Sequence, residues 1–412
     1  MADRKKPLSS DPERRAKFQG HRGPVLSLSF NSNMRHLASS SDDSCIQVWN
    51  FKQDMRPFRF ARHRGPVSEV AYSPAGDVLA SASRDETVRL WQNSIEGESK
   101  VIKAHSAAVR SVCFSGSGEW LLTAGDDKTA KVWKAADQRF QASLNGHTNW
   151  VLSCRFSPGG DLAATASSDK SVKLWDLASR TCLNTYTDHS DVVSAVRFLP
   201  DGQSLAACSA DRKVKIWDIR SSRLIQHYDA HADAVQSLSI NPAGSYMATV
   251  SRDSTTKLWD LRQGQLLFTL YGHEQGTTAV EWSPDGALLA TGGVDSVVLL
   301  WNANIGNSGQ PQVHKSIRPV SALSRPVDSE TMDIPAPAGP ETRPAAVPLP
   351  SAKSSKGRSG SRERSEGVEQ LLQGFLAQMD AKMSTVVETV EGMNLRLTRL
   401  EEQMERLEDR DH

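Results

Sequence analysis

Residues 147–176 read HTNWVLSCRFSPGGDLAATASSDKSVKLWD, and their alternation decides the fold class. Leu152, Cys154 and Phe156 alternate in a first strand, and Ser157-Pro158-Gly159-Gly160 turns the chain. Leu162, Ala164 and Ala166 alternate in a second strand, and Ser168-Asp169-Lys170 turns it again. Val172, Leu174 and Asp176 bracket a third, with Lys173 and Trp175 on its other face. Period-two alternation between turn clusters about ten residues apart predicts antiparallel strands.

The same unit recurs along the chain. Histidines stand at His21, His63, His105, His147, His189, His231 and His273, each 42 residues after the last. Tryptophans at Trp49, Trp91, Trp133, Trp175, Trp217, Trp259 and Trp301 follow them by 28. Six residues before each tryptophan is an aspartate: Asp43, Asp85, Asp127, Asp169, Asp211, Asp253 and Asp295. A fourth strand, as in Gln265-Leu-Leu-Phe-Thr-Leu270, completes a 42-residue unit the size of a propeller blade.

The unit resembles the WD repeat, which runs from a Gly-His pair to a Trp-Asp pair. Gly-His is kept at Gly20-His21, Gly146-His147 and Gly272-His273, and Trp-Asp at Trp175-Asp176, Trp217-Asp218 and Trp259-Asp260. The resemblance implies an all-β, seven-bladed propeller. After Trp301 the chain makes a poor strand, whereas Arg15-Ala-Lys-Phe-Gln19 aligns with the segment ahead of His273. The N-terminal segment is therefore expected to supply the outer strand of the last blade and close the ring.

A His, an Asp and nearby hydroxyls invite a catalytic triad, but a nucleophilic site occurs once and this set occurs seven times. The repetition predicts a structural network: histidine to turn aspartate, and indole to a hydroxyl just before that aspartate, such as Ser83, Ser167, Ser209 or Ser251. No phosphate loop, HExxH or EF-hand spacing is present, and five scattered cysteines without a CxxC suggest neither disulfides nor zinc. The expectation is a non-enzyme with no cofactor and no metal, in a reduced compartment. With 49 basic against 48 acidic residues there is no basic excess for nucleic acid. No run of 18 apolar residues predicts a membrane span, and Met1–Pro7 lacks a secretory h-region.

The sequence divides into a disordered N-terminus, residues 1–12, and a propeller, 13–302. A Pro/Ser-rich linker, 303–366, follows; it holds nine of nineteen prolines and no aromatic residue. Its basic end, Lys353 to Arg364, reads as a solubilising tether or as a phosphorylatable patch for an acidic surface such as a microtubule. Over 367–412 the apolar residues Leu372, Leu376, Met379, Met383, Val386, Val390, Met393, Leu397, Leu400, Met404 and Leu407 alternate spacings of four and three. That is a coiled-coil seam, fitted to homo-oligomerisation or to a heterologous helix.

A propeller with a C-terminal coil, and stretches such as Phe18-Gln-Gly-His21-Arg and His147-Thr-Asn-Trp150-Val, resemble the proteome-of-centriole WD-repeat family. That resemblance implies a non-catalytic scaffold of centrioles and basal bodies, in the cytoplasmic cytoskeleton. Its propeller would bind centriolar proteins and support centriole stability and cilium formation. Two other readings stay open. Trp217-Asp-Ile-Arg220 and Trp259-Asp-Leu-Arg262 resemble the motif of cullin-ligase substrate receptors, and a regulatory subunit of a microtubule-severing enzyme shares the domain order. For contacts, Trp150 stands where other repeats have Pro24, Pro66, Ala108, Val192, Ala234 and Gly276, which places an indole on the loop rim. Arg22, Arg62, Arg64 and Arg84 are expected on one side of that rim, and Asp188, Asp191, Asp229 and Asp233 on the other.

Overall fold

The computed structural model describes residues 11–51, 56–92, 99–303 and 315–317. The coiled-coil seam and all of the linker except residues 303 and 315–317 lie outside the described residues. Seven sheets, each of four antiparallel strands and in blade six with a further parallel strand, form a ring of blades. In blade one the strands run from Val25–Phe30 at the axis through His36–Ser41 and Ile46–Asn50 to Phe58–Phe60 at the circumference. Blade seven is built from Thr277–Trp282, Leu288–Gly293, Val297–Asn302 and, outermost, Glu13–Gln19. That last strand pairs antiparallel with Val297–Asn302, from Gln19 opposite Val297 to Glu13 opposite Asn302. The first and last parts of the propeller sequence are thus hydrogen-bonded in one sheet, and the ring is latched. Apolar clusters fill the spaces between blades. One joins Cys113, Leu122 and Val132 of blade three to Cys154, Phe156 and Trp175 of blade four. Another joins Ala290 and Leu300 of blade seven to Val25, Phe30 and Trp49 of blade one.

The structure departs from simple alternation in the innermost strands. Each contains a bulge against its neighbour; in blade four the register shifts between Val151 and Ser153. Leu152 is the extra residue and is half-buried, while Val151, Cys154 and Phe156 point into the core. The seven bulge residues, Leu26, Ser68, Arg110, Leu152, Ser194, Gln236 and Thr278, all line the central bore. A bulge re-aims a side chain out of the pleat, and here it turns one residue per blade toward the axis.

An innermost strand has no neighbour on its axial side, so some backbone amides need partners from elsewhere. Serines of the preceding blade supply them. Ser29 accepts from Tyr72 N at 3.0 Å, Ser111 from Cys154 N at 3.1 Å and Ser239 from Trp282 N at 3.2 Å. In blade two Glu69 takes the place of such a serine and accepts from Val112 N at 2.9 Å. Its other oxygen pairs with Arg155 of blade four across the bore. Arg155 also donates to Ser111 and to the carbonyl of Cys154. Arg197 of blade five faces Glu281 of blade seven at 3.7 Å. Arg155, Arg197 and Glu281 share one repeat position, where blade three has Cys113. Burial favours the neutral acid at Glu69, but the Arg155 and Arg197 guanidiniums outweigh it and hold the carboxyl below its usual range. At Glu281 burial prevails over the same two arginines and the carboxyl is pushed up. Two arginines and two glutamates thus meet around a polar void of about 100 Å³, which Arg110 also lines.

A candidate protein-interaction face

Each blade carries a hydrogen-bonded chain beneath the loops that follow the histidines. Histidine Nδ1 lies 2.8–3.1 Å from its turn aspartate in all seven blades. In six blades Nε2 meets a hydroxyl at 2.7–2.9 Å: Ser39, Ser81, Thr123, Thr165, Thr249 and Thr291. The same oxygen accepts the tryptophan indole N–H at 2.8–3.1 Å. A carboxylate only accepts, so Nδ1 carries a proton, and in the neutral imidazole Nε2 accepts from the hydroxyl. All these hydroxyls belong to fully buried residues, so they satisfy the core and meet no substrate.

The indole partners are therefore not Ser83, Ser167, Ser209 and Ser251: in blades two, four and six they lie two positions earlier, at Ser81, Thr165 and Thr249, and blade five uses another residue. In the second-to-third-strand pairing of blade one, Leu37 lies opposite Trp49 and Ser39 opposite Gln47. Ser39 is thus the diagonal neighbour of the indole on one face, and Ser41 lies a further pleat away. The serines expected in that role brace the turn instead: Ser83 donates to Gly65 O at 3.0 Å and accepts from Asp85 N at 3.2 Å. Each turn aspartate also accepts backbone N–H groups, as Asp85 does from Arg64 and Thr87. Burial works against ionisation at Asp85, Asp127, Asp169 and Asp253. The histidine and these donors outweigh it and hold the carboxyls far below their usual range; Asp211 is held at about 2.

Blade five breaks the pattern. Ala207 stands where the hydroxyl belongs, and His189 Nε2 is buried without a partner. Asp188, expected as a rim contact, directs Oδ2 to the Trp217 indole at 2.7 Å. Ala207→Ser should restore the missing donor and raise stability by about 1 kcal/mol, read as a higher urea midpoint at unchanged slope. A lower midpoint would mean that the Asp188 arrangement leaves no room for the hydroxyl.

The rim residues sort as follows. Arg22, Arg64 and Arg84 are exposed on blades one and two, with Arg84 3.6 Å from Asp42. Asp191 and Asp233 are exposed on blades five and six, and Asp229 pairs with Lys213 at 3.1 Å. Arg62 is drawn away from this set. It takes the repeat position of Gly20, where a Cβ comes within 3.1 Å of the blade's tryptophan, and it lines a lateral cavity with Trp91, Lys100 and Phe114.

Trp150 is 48% exposed, large for an indole beside a propeller core. The Arg110 guanidinium lies 5.5 Å from its ring centroid. Arg110 is itself clamped by Asp126, at 2.8 Å through Nε and 2.7 Å through Nη2. The indole is thus preorganised by a cation–π contact whose cation cannot wander. Arg110 was not singled out from sequence, yet it is the one charged residue among the seven bulge positions.

A family model described as WD domain, G-beta repeat, matches residues 12–50, 56–92, 97–134, 138–176, 180–218, 222–260 and 264–302. The chain belongs to the WD-repeat family. Its repeats begin with an outer strand and end at Trp-Asp or its equivalent, so each matched unit spans two blades of the folded ring. Shorter similarities reach curated relatives. The chain is 49% identical over 51 residues to POC1 centriolar protein homolog A of Xenopus laevis, 12% of either chain. It is 48% identical over 49 residues to homolog A of Xenopus tropicalis, 12% of this chain and 11% of that one. With homolog B of Xenopus laevis it shares 44% over 49 residues, 12% of this chain and 10% of that one. The matched stretch is thus about a ninth of the length of these relatives.

Proposed function

We propose that this chain is a non-catalytic scaffold of centrioles and basal bodies. Its propeller binds centriolar proteins through the histidine-bearing face, and residues 367–412 join copies or hold a partner helix. Together they support centriole stability and cilium formation. The observation that carries the face is Trp150, exposed and fixed by Arg110. The similarity to POC1 centriolar protein homologs supports the location. Basic Arg22, Arg64 and Arg84 opposite acidic Asp191 and Asp233 favour a polar, oriented protein partner over nucleic acid. A coil through Leu376, Met383, Val390, Leu397, Leu400, Met404 and Leu407 would add avidity on a repeating lattice.

The test is localisation of tagged full-length protein and its Trp150→Ala variant. Losing a hot-spot indole weakens a protein contact by about 2 kcal/mol, roughly thirtyfold. Centriolar enrichment should fall while the melting temperature stays put, because Trp150 is outside the core. Unchanged enrichment would place the interface elsewhere. No centriolar enrichment of the unaltered protein would remove the location itself.

A further inference from the structure

The outermost strand of a blade presents an edge open to pairing, and proteins usually blunt such edges with charge or proline. Most blades here do. Blade one has Arg59 within Phe58–Phe60, directly after Pro57. Blade two has Lys100 and Lys103 within Ser99–Lys103, and blade three has Arg139 at the head of Arg139–Asn145. The closing strand of blade seven, Glu13–Gln19, has Glu13, Arg14, Arg15 and Lys17.

Blades four, five and six do not. Thr181–Tyr186 and Gln265–Tyr271 contain no charged residue, and Leu224–Asp229 has only its terminal Asp229. In blade six the edge is taken. Residues Lys315–Ile317 pair parallel with it, Lys315 opposite Phe268, Ser316 opposite Thr269 and Ile317 opposite Leu270. The equivalent stretches, 42 and 84 residues earlier, are Gln226-His-Tyr228 in blade five and Asn184-Thr-Tyr186 in blade four. Among the described residues no strand pairs with either.

The side chains beside these stretches follow the same division. Each of these three outer strands carries a bulge before the pairing stretch, which leaves Leu183, Ile225 and Leu267 as the extra residues of blades four, five and six. Leu267, next to the occupied edge, is half-buried and packs on the core. Leu183 and Ile225 are 56% and 53% exposed, and Leu224 is exposed with them. Isolated exposed aliphatics need no explanation. Two at the same repeat position of adjacent blades, each beside an unguarded edge, form a pattern.

We propose that the outer edges of blades four and five are strand-pairing sites for an extended segment of a partner protein, uncharged or weakly basic and bearing aliphatic residues. Backbone hydrogen bonds to Asn184–Tyr186 and Gln226–Tyr228 would hold it, and Leu183 and Ile225 would receive its side chains, as in other β-augmentation complexes. The site lies on the circumference, away from the histidine-bearing face. It goes beyond the centriolar reading and stands whether or not that face binds.

The probe is the kind of strand this fold already accepts: a synthetic peptide of residues 312–320, at millimolar concentration, added to the full-length protein. Hydrogen exchange should slow at the amides of residues 184–186 and 226–228. The same peptide N-methylated at alternate backbone nitrogens should give no protection. Thr185→Lys with His227→Lys, both exposed positions, should weaken binding at least tenfold at unchanged melting temperature. No slowing at either edge, or slowing confined to residues 268–270, would overturn the proposal. Equal slowing by the N-methylated peptide would show apolar contact without strand pairing and would also overturn it. Protection of the same amides that rises with protein concentration and no peptide would make the occupant a second copy, against the assignment to a partner protein.

Discussion

Deleting residues 1–19 should lower the melting temperature by roughly 10 °C and cause self-association, whereas deleting residues 1–10 should change neither. The longer deletion removes Glu13–Gln19 and with it six residue pairs along Val297–Asn302. It also removes Phe18, whose ring stacks on Trp49 at 5.3 Å and on Phe51 at 6.5 Å. Loss of a packed phenylalanine alone is worth about 3–5 kcal/mol, and in a large domain each kcal/mol moves the midpoint by about 2–4 °C. The effect reaches beyond blade seven, because that stacking joins the closing strand to blade one.

The freed edge explains the association. Val297–Asn302 is almost entirely apolar and buried, and without its partner it becomes a long hydrophobic edge open to pairing with another chain. Scanning calorimetry and light scattering on the two truncations check both effects. A 1–19 deletion that melts like the full chain would mean that the ring closes without its latch.

The ring and its closure could be read in the sequence because their determinants are local and repeated. His, Asp and Trp recur in register since the same buried polar groups need partners in blade after blade, and Phe18 lies three residues before His21 just as Leu270 lies three before His273. What could not be read depends on register across strands. Ser39 and Ser41 are both hydroxyls on one alternating face, and only the position of Leu37 opposite Trp49 selects Ser39. The innermost bulge likewise adds one residue to a strand that reads as regular, so nothing in the alternation of Leu152, Cys154 and Phe156 marks Leu152 as turned to the axis. Arg110 was missed for that reason. Asp188 misled for another: in sequence it is an acidic residue beside a histidine, and only the absence of a hydroxyl at Ala207 makes it the indole's acceptor. The bore was invisible because its charged residues come from five blades. Glu69 and Arg155 are 86 residues apart, and each alone reads as a solvent-facing residue of an amphipathic strand.

Those two residues set up the other large effect. Arg155→Ser alone, or Glu69→Ser alone, should destabilise the propeller by about 3–5 kcal/mol, because each leaves a buried charge without its partner. The double variant should recover most of that loss and lie within about 1 kcal/mol of the unaltered protein. Serine is the residue the repeat itself uses here: Ser27, Ser111, Ser153 and Ser237 stand at the position of Glu69, and Ser29 and Ser239 at that of Arg155. A serine at position 69 could keep the hydrogen bond from Val112 N that Glu69 now accepts. Removing one positive and one negative charge leaves Arg197 and Glu281 facing each other, so the net charge around the bore does not change. The space vacated is polar-walled and admits water, unlike an apolar cavity. Urea unfolding of the four proteins gives the coupling energy directly. If the double variant loses as much as the two single changes added together, the pair is not coupled, and Arg155 and Glu69 act through their separate contacts with Ser111, Cys154 and Val112. If instead it matches the original stability, the ion pair across the bore contributes little net stability, and its role is to favour the one closure in which blade two faces blade four.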